Sequence, residues 1–163
     1  MELDYQAFFK QLNNQEIDYL IVGGLAVNLH GIPRMTYDID LMVHLDAGNI
    51  KKLVEQLKGW GYVSRVPVQP EKLADEETRG IWIHENNMRA FSFYSDTQPL
   101  GEIDLVIDVP IEYEELKRRA NVFDLEGVQV PVISIRDLIE LKLKAGRKQD
   151  LSDVENLNMI LER

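Results

Sequence analysis

Cysteine is absent from the chain, which excludes disulfides and thiolate metal sites and leaves oxygen ligands or one of three histidines for any metal. No segment approaches the run of about 18 apolar residues that a membrane-spanning helix requires, and no basic-then-apolar leader opens the sequence. Neither a membrane span nor a secretory signal is therefore expected, and the expected location is cytoplasmic. Also missing are the His-Glu-x-x-His pair of a zinc hydrolase, the Gly-x-x-x-x-Gly-Lys of a phosphate-binding P-loop, internal repeats and low-complexity tracts. Positive charge is scarce: 18 Lys and Arg face 28 Asp and Glu, for a formal net charge of −10. Phosphate contacts come from Lys and Arg, so this balance argues against a protein that coats nucleic acid, while leaving room for a local basic groove.

What the chain does contain is patterned. With 163 residues and 45% hydrophobic content it fits a single domain, residues 1–163, with a real core. Tyr5, Phe8, Phe9 and Leu12 fall on one helical face, with Asp4 as its cap. A short strand from Ile17 to Val22 delivers Gly23-Gly24, and a short helix from Leu25 to His30 follows. Asp46 caps a helix carrying Ile50, Leu53, Val54 and Leu57, and Tyr62 to Val66 reads as a strand. Pro67 to Gly80 reads as a loop with a helical turn near Glu71 to Asp75. Ile81-Trp82-Ile83 and Met88 to Tyr94 read as a β pair around the turn His84-Glu85-Asn86-Asn87. A strand is expected over Gly101 to Val109, a charged helix over Ile111 to Arg119 and a short strand over Val128 to Ile133. Ser134 and Asp137 then form a capping box for a helix with Leu138, Leu141 and Ala145 on its apolar side, ended by Gly146. Leu151, Val154, Leu157 and Leu161 stripe a last helix. Strands alternating with helices predict an α/β fold.

The chemistry concentrates between Ile21 and Val43. In an extended segment Tyr37, Ile39, Leu41 and Val43 face one way, and Thr36, Asp38, Asp40 and Met42 the other. Asp38 and Asp40 thus stand side by side as two anions, an arrangement that needs a compensating cation or good hydrogen bonds, and a hard divalent ion such as Mg²⁺ or Mn²⁺ is the expected solution. Gly23 and Gly24 allow backbone N–H groups to approach an anion, for which phosphate is the natural guest, and Arg34 supplies a guanidinium for the same anion. On the later strand Glu102, Asp104 and Asp108 share a face. Lys142, Lys144, Arg147 and Lys148 form either a plain helix surface or part of a site, and Asp150 either orients Arg147 or caps the last helix. His30, at a helix end, reads as a partner of terminal carbonyls.

In this order, the Gly-Gly turn, the helix ending His-Gly, Arg34, Thr36, Asp38-Ile39-Asp40 and Gly101-Glu102-Ile103-Asp104-Leu105 resemble the nucleotidyltransferase superfold. Within it they are similar to small bacterial nucleotidyltransferase-like proteins related to abortive-infection toxins. The stretch from Asp137 to Leu151 resembles a basic C-terminal segment of those relatives. The resemblance implies a short mixed sheet flanked by helices, with two helices at the C-terminal end. It implies Asp38, Asp40 and Asp104 as catalytic metal ligands, with Gly23, Gly24, Arg34, Lys142 and Arg147 contacting an NTP. The implied reaction moves an NMP from the NTP to an acceptor hydroxyl, on an RNA 3′ end, a protein or a small molecule, and releases pyrophosphate. The competing expectation is a catalytically silent binding or regulatory protein of toxin–antitoxin or defence type. Asp104 is expected to be the single carboxylate of its strand level with the Asp38 and Asp40 pair, with Glu102 and Asp108 toward the strand ends. The acceptor, the NTP and the oligomeric state are left open.

One expectation follows from charge alone. Affinity for random duplex DNA should be weak and lost at modest salt; tight binding of a labelled random duplex at about 150 mM salt, read by fluorescence anisotropy, would contradict it.

Overall fold

The computed structural model describes residues 2–34, 36 and 38–163; Tyr37, expected to share the Ile39 face, lies outside them. The elements run α1 (Tyr5–Asn14), β1 (Tyr19–Val22), α2 (Gly23–Leu29), β2 (Asp38–Val43), α3 (Ala47–Gly59) and β3 (Val63–Ser64). A 3₁₀ turn (Pro70–Ala74) leads to α4 (Glu76–His84), β4 (Ala90–Tyr94), β5 (Glu102–Val106) and α5 (Tyr113–Arg118). Then come β6 (Asn121–Leu125), β7 (Val128–Val132), α6 (Ile135–Ala145) and α7 (Lys148–Leu161). Among the described residues the strands form one mixed seven-stranded sheet in the order β3-β4-β5-β2-β1-β7-β6. β2 runs antiparallel to β1 and parallel to β5, and β1 runs parallel to β7. This is the α/β class expected, with two helices closing the chain.

The period-two pattern explains the layering. Ile39, Leu41, Phe91, Phe93, Ile103 and Leu105 alternate to one face and are fully or almost fully buried, while their acidic neighbours take the other. The apolar face is the core. Asp4 caps α1 by accepting the Ala7 N–H at 2.8 Å, and Asp46 caps α3 by accepting that of Asn49 at 2.7 Å. Gly146, at φ 65°, ends α6 in the left-handed conformation that glycine adopts without strain.

Several local expectations are corrected. Ile81-Trp82-Ile83 is not half of a β hairpin but the end of α4. Asp75 caps that helix through the Thr78 N–H, Glu76 and Glu77 favour its positive end, and Trp82 stacks on Phe91 with ring centroids 5.6 Å apart. The strand expected over 62–66 is only Val63–Ser64 at the sheet edge, and that over 101–109 stops at Val106. β6 was not foreseen: it is an exposed edge strand, turned into β7 by Glu126 and Gly127, both at positive φ. Ser134 does cap α6, but the Asp137 carboxylate turns away to accept Arg119 Nε and Nη2, both at 2.9 Å, so the box is half formed. In α7, Leu151 is exposed, and Asp150 and Asp153 are buried beside Val154 and Leu157.

Leu105, fully buried at the sheet centre, should cost about 2–5 kcal/mol when replaced by alanine, whereas Val122→Ala on the exposed edge should stay within about 0.5 kcal/mol. Urea unfolding of both variants checks the placement of the core.

Candidate active site

The acidic site is made by register. Because β2 and β5 run parallel with Asp38 opposite Glu102 and Asp40 opposite Asp104, both carboxylates of each strand meet on one face. The expectation that only Asp104 lies level with the β2 pair is therefore corrected: Glu102 is level as well. Asp38, Glu102 and Asp104 offer carboxylate oxygens all within 4.8 Å of one another. Asp108 lies past the strand end, paired loosely with Arg89 at 3.5 Å and Lys144 at 3.6 Å.

Asp40 is held from the other side. It accepts the Gly24 N–H, and a Cβ on Gly23, whose φ is 65°, would collide with its carboxylate. The paired glycines thus make room for a side chain of the site itself. A Cβ on Gly24 would lie 2.9 Å from Thr36 Oγ1 and 3.4 Å from the Arg34 guanidinium carbon, which places Arg34 directly beside this turn.

Crowded anions in a half-buried setting titrate high. Burial pushes the Asp40 carboxyl up to about 7, helped by the charges of Asp104 and Asp38 and opposed by the Gly24 N–H. Asp38 is raised by burial and by Asp104 and Glu102, with Arg65 opposing; Asp104 is raised mainly by burial, with Glu102 adding. Asp104 Oδ1 is buried without a hydrogen-bond partner among the described residues. An orphaned carboxylate oxygen amid converging hard oxygen donors fits a divalent cation such as Mg²⁺ or Mn²⁺.

The basic residues Arg34, Lys142 and Arg147 are paired with carboxylates of α7. Lys142 is buried and bonded to Asp153 Oδ2 at 2.9 Å and Asp150 Oδ1 at 3.4 Å. Arg34 Nη1 reaches the same Asp153 Oδ2 at 2.6 Å, and Arg147 Nε donates to Asp150 Oδ2 at 2.7 Å. Asp150 also accepts the Arg147 backbone N–H at 3.2 Å, so it both caps α7 and orients the arginine. Its carboxyl is drawn below the usual range against the pull of burial, by Arg147 and then Lys142. A cavity of about 470 Å³ joins Gly23, Asp40 and Asp104 to Lys142, Lys144 and Arg147, walled by Val106, Leu138 and Leu141. His30 lies apart from this site: its Nε2 bonds the Ile133 carbonyl at 2.7 Å, tying α2 to the end of β7. Sequence reasoning missed Arg65, Tyr94 and Asp153; only Asp153 left a trace, in the i, i+3 spacing of Arg147, Asp150 and Asp153 on α7.

Residues 2–162 match the model of a family described as nucleotidyltransferase of unknown function (DUF6036). No curated protein matches in sequence. The fold is similar to that of the lincosamide antibiotic adenylyltransferase LnuA, solved with lincomycin, at a TM-score of 0.62 and 18% identity, covering 98% of this chain and 99% of that one. It is also similar to ANT(2″)-Ia, solved with adenylyl-2″-tobramycin (TM-score 0.59, 14% identity, 93% and 84% covered). An antigenic nucleotidyltransferase-like protein from Paracoccidioides brasiliensis aligns at a TM-score of 0.54 and 18% identity over 95% and 72% of the chains.

The crowding has a thermodynamic signature. Asp40 binds its proton more tightly folded than unfolded, so the stability it contributes is full below the unfolded carboxylate range and is lost as pH rises through about 7. In chelator, the wild-type melting temperature should fall between about pH 4 and pH 7. Asp40→Asn, which keeps an oxygen for the Gly24 N–H, should flatten that fall and melt higher at alkaline pH. An Asp40→Asn protein that melts below wild type there would show that the carboxylate is not strained.

Proposed function

As the chain belongs to the DUF6036 nucleotidyltransferase family, we propose that it transfers a nucleoside monophosphate from an NTP to an acceptor hydroxyl with release of pyrophosphate. The observation that carries this reading is the convergence of Asp38, Glu102 and Asp104, with Asp40 in register beside them and one buried carboxylate oxygen unsatisfied. These residues would hold Mg²⁺ or Mn²⁺, which when bound neutralises triphosphate charge and acidifies a coordinated hydroxyl. Asp104 takes the proton of the acceptor hydroxyl as its oxygen bonds to the α-phosphorus and the bond to the β-phosphate bridging oxygen breaks. Arg34 lies beside the Gly23-Gly24 turn and Arg147 at the cavity, and these two guanidiniums oppose the charge that develops on the departing pyrophosphate. Backbone N–H groups at Gly23 and Gly24 assist once the Gly24 N–H is shared with substrate. Lys142, buried between Asp150 and Asp153, acts by holding the two helices and Arg147 in place. The acceptor class stays open among an RNA 3′ end, a protein hydroxyl and a small molecule; the two antibiotic-modifying neighbours favour a small molecule to the extent that fold does.

A second reading, a catalytically silent binding protein, draws on the cations: Arg34 and Lys142 both already bond to Asp153. Tight NTP binding without turnover would leave that reading standing.

The test is to incubate the protein with each labelled NTP, Mg²⁺ and cell extract, follow pyrophosphate and identify the labelled product. Asp104→Asn should lower transfer by about 10²-fold or more while NTP binding persists, and Asp108→Asn should cost no more than about tenfold. Full activity in Asp104→Asn would remove that residue from the chemistry.

A further inference from the structure

Beside Glu102, where β3 and β4 pair, stands the Arg65 guanidinium. Arg65 follows β3, and its backbone N–H bonds the Ser92 carbonyl at 3.0 Å, fixing it across the β4 edge. Its Nε donates to Glu102 Oε1 at 2.6 Å, and its guanidinium carbon lies 4.8 Å from the centroid of the Tyr94 ring. Tyr94 is itself the cross-strand partner of Glu102. The Arg65 guanidinium thus touches both the Tyr94 ring and the Glu102 carboxylate.

We infer that Arg65 is the counter-ion of Glu102 in the metal-free protein, and that it yields this carboxylate when the cluster takes up a divalent cation. Three observations carry the inference. Glu102 belongs at once to the Arg65 pair and to the group of oxygens within 4.8 Å, so the two cations compete for one carboxylate. Among the described residues the Arg65 side chain donates only from Nε, so a single charged hydrogen bond holds it. The other cations near the cluster have partners of their own, Arg34, Lys142 and Arg147 on Asp150 or Asp153 and Arg89 and Lys144 on Asp108, whereas Arg65 offsets the charge of Asp38 and Asp104 as well as pairing with Glu102. A divalent ion at the carboxylates repels a guanidinium several ångströms away, and Arg65, with its side chain 53% exposed, is free to turn outward along the Tyr94 ring. Arg65 is accordingly a positioning residue: it keeps the carboxylates gathered until metal replaces it. Once released, it stands at the mouth of the site with its terminal nitrogens open to an anionic group of the substrate.

The inference rests on the metal reading above, and Mn²⁺ titration calorimetry on the whole chain separates the two. R65Q should bind Mn²⁺ about three- to tenfold more tightly than wild type, because a competing cation is gone. E102Q should bind it at least about tenfold more weakly, and in the E102Q background R65Q should change affinity by no more than about twofold. As a second readout, Mn²⁺ should raise the rate at which phenylglyoxal modifies Arg65 in the wild-type protein by about threefold or more, measured on the peptide by mass spectrometry. Unchanged or weaker Mn²⁺ binding in R65Q, or an Arg65 that Mn²⁺ leaves equally reactive or protects, overturns the inference alone. Wild-type protein that takes up no Mn²⁺ overturns the metal reading and this inference with it.

Discussion

The structure turns on repulsion between carboxylates that the β2–β5 register forces together. Parallel pairing sets Asp38 against Glu102 and Asp40 against Asp104 on the face opposite the core. Their apolar alternates, Ile39, Leu41, Ile103 and Leu105, are fully buried, so a slip of one residue in either strand would drive charge into the core. The hydrophobic effect therefore holds the anions in place against their mutual repulsion. The surroundings follow: a glycine turn that leaves space for Asp40, a guanidinium at the open edge, and two C-terminal helices whose cations are already balanced by Asp150 and Asp153.

Two charge systems of different character flank the cluster. On the α6–α7 side, Arg34, Lys142 and Arg147 carry three positive charges against the two of Asp150 and Asp153. Since the carboxylates and Lys142 are buried, removing one of them would strand a charge away from water, which makes loss of a partner costly here. On the β3–β4 side, Arg65 is bound through one nitrogen at an exposed position, where an ion pair is weak and exchangeable. In the proposed transfer, the buried side would hold the nucleotide and the exchangeable side would admit the second reactant.

The sequence made the single strands legible and left their mutual placement hidden. Alternation around Asp38 and Asp40 and around Asp104 could be read directly, because a buried face demands period two. Whether Glu102 or Asp104 stands level with the β2 pair depends on the crossover between the strands, and both turn out level. Ile81-Trp82-Ile83 misled for a related reason: three bulky apolar residues suit a strand, yet Asp75 and the two glutamates after it start a helix that needs only Trp82 for its packing. The basic C-terminal segment was visible as charge, but not as a buried lysine, since Asp153 acquires its role only when α7 folds back along α6. Arg65 and Tyr94 lay in segments read as strands but carried no motif, and they meet Glu102 only because β3 and β4 pair beside β5.

The bond from Arg34 to Asp153 spans 119 positions of sequence and joins the segment after α2 to the C-terminal helix. A tie of this kind makes two distant segments one cooperative unit, because the first cannot swing away from the glycine turn without exposing a buried carboxylate on the second. The helix that ends the chain thereby acts as a latch on the loop that borders the site near its beginning. Fraying of α7 would reach the glycine turn before it reached the sheet, so local opening there would precede global unfolding.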